Sequence, residues 1–348
     1  MTRRELLGTA VATAVRTRAA AQKDRPLVVK PSPNLGGAPA GFPIRSGLMR
    51  QRHQPFDFVE HCHLLGLAVV ETRNAPADPR AFRDRIESYG LRAIADIPLP
   101  RDADAIAAFD DAVKKAKEAG IISLHTAMTQ RRYEQFDTFA AFQENFDRCK
   151  KTIALAEPVL RKYRMPLGIE NHKGWRAAEQ AAWIRSTGSE WIGVHFDFGN
   201  NIALCEDPAE TLRMLAPFAV ACHIKDMAVE MYEDGFLLSE VPLGEGILDI
   251  PGMVRTLQAK NPNMPFDLEM ITRDPLKIPV FTKKYWATFD DTVSPLAGRD
   301  LAGVLDLVRK NKPKSTLPYT SRMSPEEQLK LEDENIQKSI EYARGIGF

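Results

Sequence analysis

Cysteine is scarce in this sequence. The 348 residues contain four, Cys62, Cys149, Cys205 and Cys222, with no C-x-x-C spacing among them. That pattern offers no thiolate metal site and points to free, mostly buried thiols. Excess charge of either sign is lacking too. Lys+Arg total 47 against 46 Asp+Glu, a net of +1, which gives no electrostatic footprint for nucleic acid or an acidic membrane surface. There is no hydrophobic run of membrane-spanning length, since the apolar stretch at residues 6–15 is too short, so no membrane anchor is expected. Nor does the composition break internally, which favours one domain over two.

The amino terminus carries Thr2-Arg3-Arg4-Glu5-Leu6-Leu7, a mildly apolar segment, and Ala19-Ala20-Ala21 before Gln22. This resembles a twin-arginine export signal over residues 1–21, with an ordinary basic helix as the alternative. The first reading places the mature protein in the periplasm or outside the cell, the second in the cytoplasm. Residues 22–44 are rich in Pro and Gly and are expected to form an extended lead-in without a packed helix.

From there the chain alternates. Strands are expected at residues 44–49, 67–71, 91–97, 121–125, 167–172, 191–197, 220–226 and 265–270, each followed by a helical pattern. The expected fold is α/β, a single (β/α)8 TIM barrel over 45–311. Residues 301–310 are assigned to its last helix, and residues 312–348 form a C-terminal helical extension packed outside. Two segments exceed what the ring needs, 227–249 and 272–300. Loops of that length on the carboxyl face suit lids or subunit contacts, so a homodimer or homotetramer is expected.

Four apolar runs close on metal-type ligands: Leu167-Gly-Ile-Glu170-Asn171-His172, Trp191-Ile-Gly-Val-His195-Phe-Asp197, Val220-Ala-Cys-His223-Ile-Lys225-Asp226 and Pro265-Phe-Asp267-Leu-Glu269. Glu170 to Asp197 is 27 residues and Asp197 to His223 is 26, about one strand, one helix and their loops. A closed ring of parallel strands brings such ends to one face. Glu170, Asp197, His223 and Glu269 would therefore meet as a mixed O/N set that suits Mn²⁺, Mg²⁺, Co²⁺ or Zn²⁺. Residues two apart on a strand share a face. His195 should thus point with Asp197, Lys225 with His223, Asp267 with Glu269, and His172 with Glu170. Glu71 and His125 end strands two and four, and Glu245 sits between Gly244 and Gly246. Glu71, His125, His172, His195, Asn200, Lys225 and Glu245 are the candidate substrate contacts. His61-Cys62-His63 falls within a helix, where neighbours diverge, and is expected to be structural or surface.

In order and spacing, Gly168-Ile-Glu170-Asn171-His172, His195-Phe-Asp197, Cys222-His223-Ile-Lys225-Asp226, Pro242-Leu-Gly-Glu-Gly246 and Leu268-Glu269 resemble the xylose-isomerase-like TIM-barrel superfamily of sugar isomerases and epimerases. The resemblance covers most of residues 45–311. It implies that Glu170, Asp197, His223 and Glu269 bind one divalent metal, and that Glu170 and Glu269 are the catalytic acid and base. In the ketose 3-epimerases the residue three after the metal aspartate is a substrate-contacting histidine; here it is Asn200.

The expected activity is metal-dependent isomerisation or epimerisation of a carbohydrate by proton abstraction next to a carbonyl, through an enediolate. Two alternatives use the same residues: a lyase or hydratase on 3-keto glycosides, and a non-catalytic carbohydrate-binding barrel. Abasic-site nuclease chemistry, which shares the barrel, needs a larger metal cluster and a basic groove that this sequence does not offer.

Overall fold

A computed structural model of the chain describes residues 32–289 and 296–348; the expected signal segment lies outside them. Eight parallel strands close a ring in the order β1-β10-β7-β6-β5-β4-β3-β2. They are β1 (Leu35–Gly37), β2 (Val69–Arg73), β3 (Arg92–Asp96), β4 (Ile121–Thr126), β5 (Leu167–Glu170), β6 (Ile192–Asp197), β7 (Ala219–Ile224) and β10 (Phe266–Leu268). The fold is the expected single α/β barrel.

Alternation along the strands sorts the side chains. Val194 and Phe196 on β6, Cys222 and Ile224 on β7, and Phe266 and Leu268 on β10 are buried in the main core, where each large apolar side chain contributes about 1.5–3 kcal/mol. The intervening residues His195, Asp197, His223 and Asp267 turn into the barrel, as do Val69, Ile94 and Ala221, which form a small apolar cluster of their own. The polar residues nearest the carboxyl ends of the strands are the ones that meet at the mouth.

Three assignments change. Residues 44–49, expected as the first strand, lie in the helix Pro43–Gln51. Pro43 occupies its first turn, and the carboxylate of Glu332 accepts the N–H groups of Ile44 and Arg45 at 2.8 Å each. The ring instead begins inside the expected lead-in, at Leu35–Gly37. Two of those three residues are glycines, and a Cβ on Gly36 would stand 2.0 Å from Asp267 Oδ1. Finally, the barrel wall is completed by the helix Pro325–Ile346, expected outside, which buries Ile336, Ile340 and Ala343 in the main core. The helix Gly298–Lys310, expected in the wall, packs Val304 and Val308 into a second cluster.

That second cluster belongs to an antiparallel sheet over the carboxyl side. Strands β8 (Asp226–Tyr232), β9 (Gly235–Val241) and β11 (Leu276–Ile278) pair in the order β11-β9-β8. The two long segments are thus parts of one cover, cored by Met227, Val229, Phe236, Leu238, Ile278 and Tyr285. The four cysteines are free and buried. His61, Cys62 and His63 lie on the helix Phe58–Leu64, with His63 stacked on Tyr89. Among the described residues no helix is long and apolar enough to cross a membrane.

Burial raises the Glu332 carboxyl to about 7, against the backbone N–H groups that favour its ionised form. A carboxyl raised on folding stabilises fully below its unfolded value of 4.5 and loses that contribution as pH climbs through 7. Relative to Glu332→Gln, the wild type should lose on the order of 2–3 kcal/mol between pH 4.5 and 8. Urea denaturation at several pH values measures this, and parallel pH profiles for the two proteins would refute it.

Candidate metal centre

The site is assembled from strand ends. Glu71 comes from β2, His125 from β4, Glu170 from β5, Asp197 from β6 and His223 from β7; Lys225 and Glu269 each stand one residue past a strand. All are at least nine-tenths buried. Gly168 makes room beside Glu170, since a Cβ there would meet His195 at 2.8–2.9 Å.

Glu170, Asp197, His223 and Glu269 each offer one ligand atom, and the four atoms lie within 4.8 Å of one another. Bonds of about 2.0–2.2 Å to a shared ion place opposite ligands some 4.4 Å apart, so a small contraction suffices. The imidazole fits this use. His223 Nδ1 is buried without a hydrogen-bond partner, 3.6 Å from Glu269 Oε1 and 3.9 Å from Glu170 Oε2. Its Nε2 is held by Glu71 Oε2 at 2.9 Å. A carboxylate behind a ligating imidazole fixes which nitrogen faces the ion.

The remaining polar groups lock this arrangement. Glu71 also holds His125 Nδ1 at 2.7 Å, and His125 Nε2 reaches Glu170 Oε2 at 3.0 Å. Lys225 Nζ lies 2.5 Å from both Asp197 Oδ2 and Glu269 Oε2. Asn200 Nδ2 donates to Glu170 Oε1 at 3.0 Å. Asn171 Oδ1 accepts from the backbone of Asp197 at 2.7 Å, fixing the β5 and β6 ends together.

Charge follows contact. Burial disfavours ionisation of Glu71, yet the imidazoles of His125 and His223 hold it well below the usual carboxylate range. Burial raises Asp197 to about 6 despite Lys225. Glu269 goes the other way, held low by Lys225 and His223 against the effect of burial. His195 is fully buried, its ring centroid 4.3 Å from that of His125 and 4.2 Å from that of His223. Burial and these two neighbours keep it neutral, well below the usual histidine value. Asp267, with both oxygens unpartnered, is pushed well above the carboxylate range by burial and by Glu71.

Of the expected substrate contacts, Glu71, His125, His195, Lys225 and Asn200 come together here. His172 is partly buried at the edge, its Nδ1 3.2 Å from the Thr129 carbonyl. Glu245 does not join them. Its carboxylate pairs with Lys338 at 3.2 Å on the outer surface, because the flanking Gly244 and Gly246 turn their N–H groups to Asp226. Three charged residues at the site were not read from the sequence. Lys173 follows the Glu170-Asn171-His172 run, and its place past a strand end was the available signal. Glu240 arrives on β9 of a sheet that no sequence feature announced, and its partner Arg273, 3.1 Å away, comes from the loop between β10 and β11.

A family model described as xylose isomerase-like TIM barrel matches residues 55–287. The chain belongs to this family. Within it, the chain is 30% identical over 109 residues to a 3-oxo-isoapionate decarboxylase of Pectobacterium atrosepticum, covering 31% of this chain and 40% of that protein. It is 27% identical over 164 residues to a putative L-ribulose-5-phosphate 3-epimerase of Escherichia coli, covering 46% and 56% respectively. The chain thus spans only about half the length of these relatives. A probable 3-DHS dehydratase from Bacillus anthracis shares the fold at 14% identity, with a TM-score of 0.50 over 68% of this chain and 91% of that one.

Asp226, next to Lys225, accepts four backbone N–H groups, from Met227, Gly244, Gly246 and Leu248, at 2.8–3.1 Å. It pins the return of the β8–β9 hairpin beside the site. Asp226→Asn turns an NH₂ group toward donors and should cost about 2–3 kcal/mol, visible as a lowered Tm; an unchanged Tm would show that the clasp is dispensable.

Proposed function

We propose that this protein is a divalent-metal-dependent sugar isomerase or epimerase that removes a proton from the carbon beside a carbonyl. The observation that carries this reading is the approach of Glu170, Asp197, His223 and Glu269, from four strands, to within 4.8 Å. These four residues would hold one cation, and their oxygen-rich set with a single imidazole suits Mn²⁺, Mg²⁺, Co²⁺ or Zn²⁺. A bound cation supplies Lewis-acid stabilisation of the oxygen charge that builds as the proton leaves.

The chain's own residues divide the remaining work. Glu170 takes the proton from one face of the carbon, with its Oε1 oriented by Asn200. Glu269, three strands round the ring, returns one on the other face. Lys225 lies against Glu269 and Asp197 and adds positive charge close to the developing oxyanion. His172 Nδ1 donates to the Thr129 carbonyl, which can only accept. Its Nε2 is left as an acceptor for a substrate hydroxyl.

A second reading, a lyase or hydratase on 3-keto glycosides, shares the first proton abstraction. Asn200 favours it, since an amide held by Glu170 Oε1 stands where the ketose 3-epimerases carry a substrate-contacting histidine.

Titration calorimetry with Mn²⁺ should give one equivalent bound. Glu71→Gln, which loosens His223, should weaken binding about 10–100-fold. Affinity unchanged in His223→Ala would sink the ligand assignment. Activity is to be sought as solvent-deuterium incorporation into keto sugars, 3-keto glycosides and inositol derivatives. Glu170→Gln and Glu269→Gln should each slow exchange about 10²–10⁴-fold, and wild-type rates in both would remove the acid–base roles. Loss of water or of an aglycone selects the lyase reading, and altered stereochemistry alone selects the epimerase.

A further inference from the structure

Four lysine or arginine residues are buried among the described residues: Arg132, Lys173, Arg176 and Lys225. Arg132 pairs with Glu179, Arg176 with Glu206 and Asp300, and Lys225 with Asp197 and Glu269. Lys173, 3% exposed, has no carboxylate within ion-pair distance among the described residues. One of its three N–H groups goes to Asn200 Oδ1; the others have no acceptor among the described residues. Burying an ammonium with no carboxylate in direct contact is costly, and folding alone gains little from it.

The backbone points the same way. Lys173 has φ 52°, a left-handed conformation that side-chain-bearing residues seldom adopt. Such strain persists where the surroundings over-determine it, and here they do. Asn171 is tied to Asn201 and to the Asp197 carbonyl, His172 to the Thr129 carbonyl, and the Lys173 carbonyl accepts from Arg132 N at 3.2 Å. The chain is thereby turned so that the ammonium enters the mouth of the barrel. There it reaches Asn200, whose amide passes the contact on to Glu170 Oε1. An ammonium only donates and a carboxylate only accepts, so the amide has one orientation.

We propose that Lys173 is a substrate-contacting residue, its unshared N–H groups donating to an oxygen substituent on the carbon next to the one Glu170 deprotonates. This rests on the reading of the site as one that processes carbohydrate, and it narrows the substrate class to sugars carrying a hydroxyl or glycosidic oxygen at that position. Facing the ammonium are Asp197 from β6, Glu240 from β9, Lys225 past β7 and Arg273 past β10. Burial and Lys225 bring its pKa down to about 8, so it still carries its proton at neutral pH. No carboxylate draws its donors away from a ligand.

The test compares Lys173→Met and Lys173→Arg with the wild type. Lys173→Met should keep Mg²⁺ affinity and Tm while lowering kcat/KM for deuterium exchange about 10–150-fold, the range for a lost charged hydrogen bond. An analogue lacking the neighbouring oxygen should respond equally in both proteins. Lys173→Arg, which keeps the charge but not the reach, should rescue only in part. Full rescue by Lys173→Arg, or loss traced to weaker Mg²⁺ binding, would reduce Lys173 to a charge-balancing role and overturn the proposal. A readout independent of turnover is the Lys173 Cε signal in protein labelled with ¹³C-lysine and loaded with Mg²⁺, assigned by its absence from Lys173→Arg. It should shift on adding the sugars of the exchange panel. A shift without exchange would leave Lys173 as the contact and remove the isomerase reading instead; a stationary signal with every sugar would remove the contact.

Discussion

Keeping charge inside a barrel is the constraint that governs this molecule. Glu71, Glu170, Asp197, Glu240 and Glu269 are all buried around one mouth, and an isolated ionised carboxylate in such surroundings costs several kcal/mol. Each is met by a donor: Glu71 by two imidazoles, Asp197 and Glu269 by one ammonium, Glu240 by a guanidinium, Glu170 by His125 and Asn200. Taking out one partner leaves its neighbour's charge exposed to the interior. The cluster is therefore a single unit whose members hold one another in place, and Asp267, without a donor, has its carboxyl pushed well above the usual range.

This unit rests on apolar packing that faces the other way. The same strands that point His195, Asp197 and His223 inward place Val194, Phe196 and Cys222 in the outer core. Slipping a strand by one residue would exchange the two sets, burying charge among aliphatic side chains. Register and site are thus specified together.

That coupling explains what was legible. Apolar runs ending on Glu170, Asp197, His223 and Glu269 at a strand-helix interval announced both a ring and a meeting point. Glu71 and His125 were visible for the same reason. The ring's first strand was not, because Leu35-Gly36-Gly37 has neither length nor β-propensity; it is fixed by room for Asp267, a long-range cause. Residues 44–49 had the composition of a strand but took helical form with Glu332, 288 positions away, as an acceptor. The two late helices exchanged roles because both are amphipathic, and only tertiary packing tells which face meets the barrel. Lys173 and Glu240 were missed on like grounds: a backbone turn and a sheet partner place them. Glu245 looked ligand-facing between glycines whose flexibility in fact serves Asp226.

The helix Pro325–Ile346 has a consequence for how the ring can form. Glu332 accepts the N–H groups of Ile44 and Arg45 from 288 and 287 positions away, and Ile336, Ile340 and Ala343 of the same helix join the main core. The wall on that side therefore rests on contacts between residues far apart in sequence, and pairings of such separation must overcome loop-closure entropy before they reward it. The insulation of the charged cluster is in that sense a property of the whole topology, which no fragment of the barrel could supply alone.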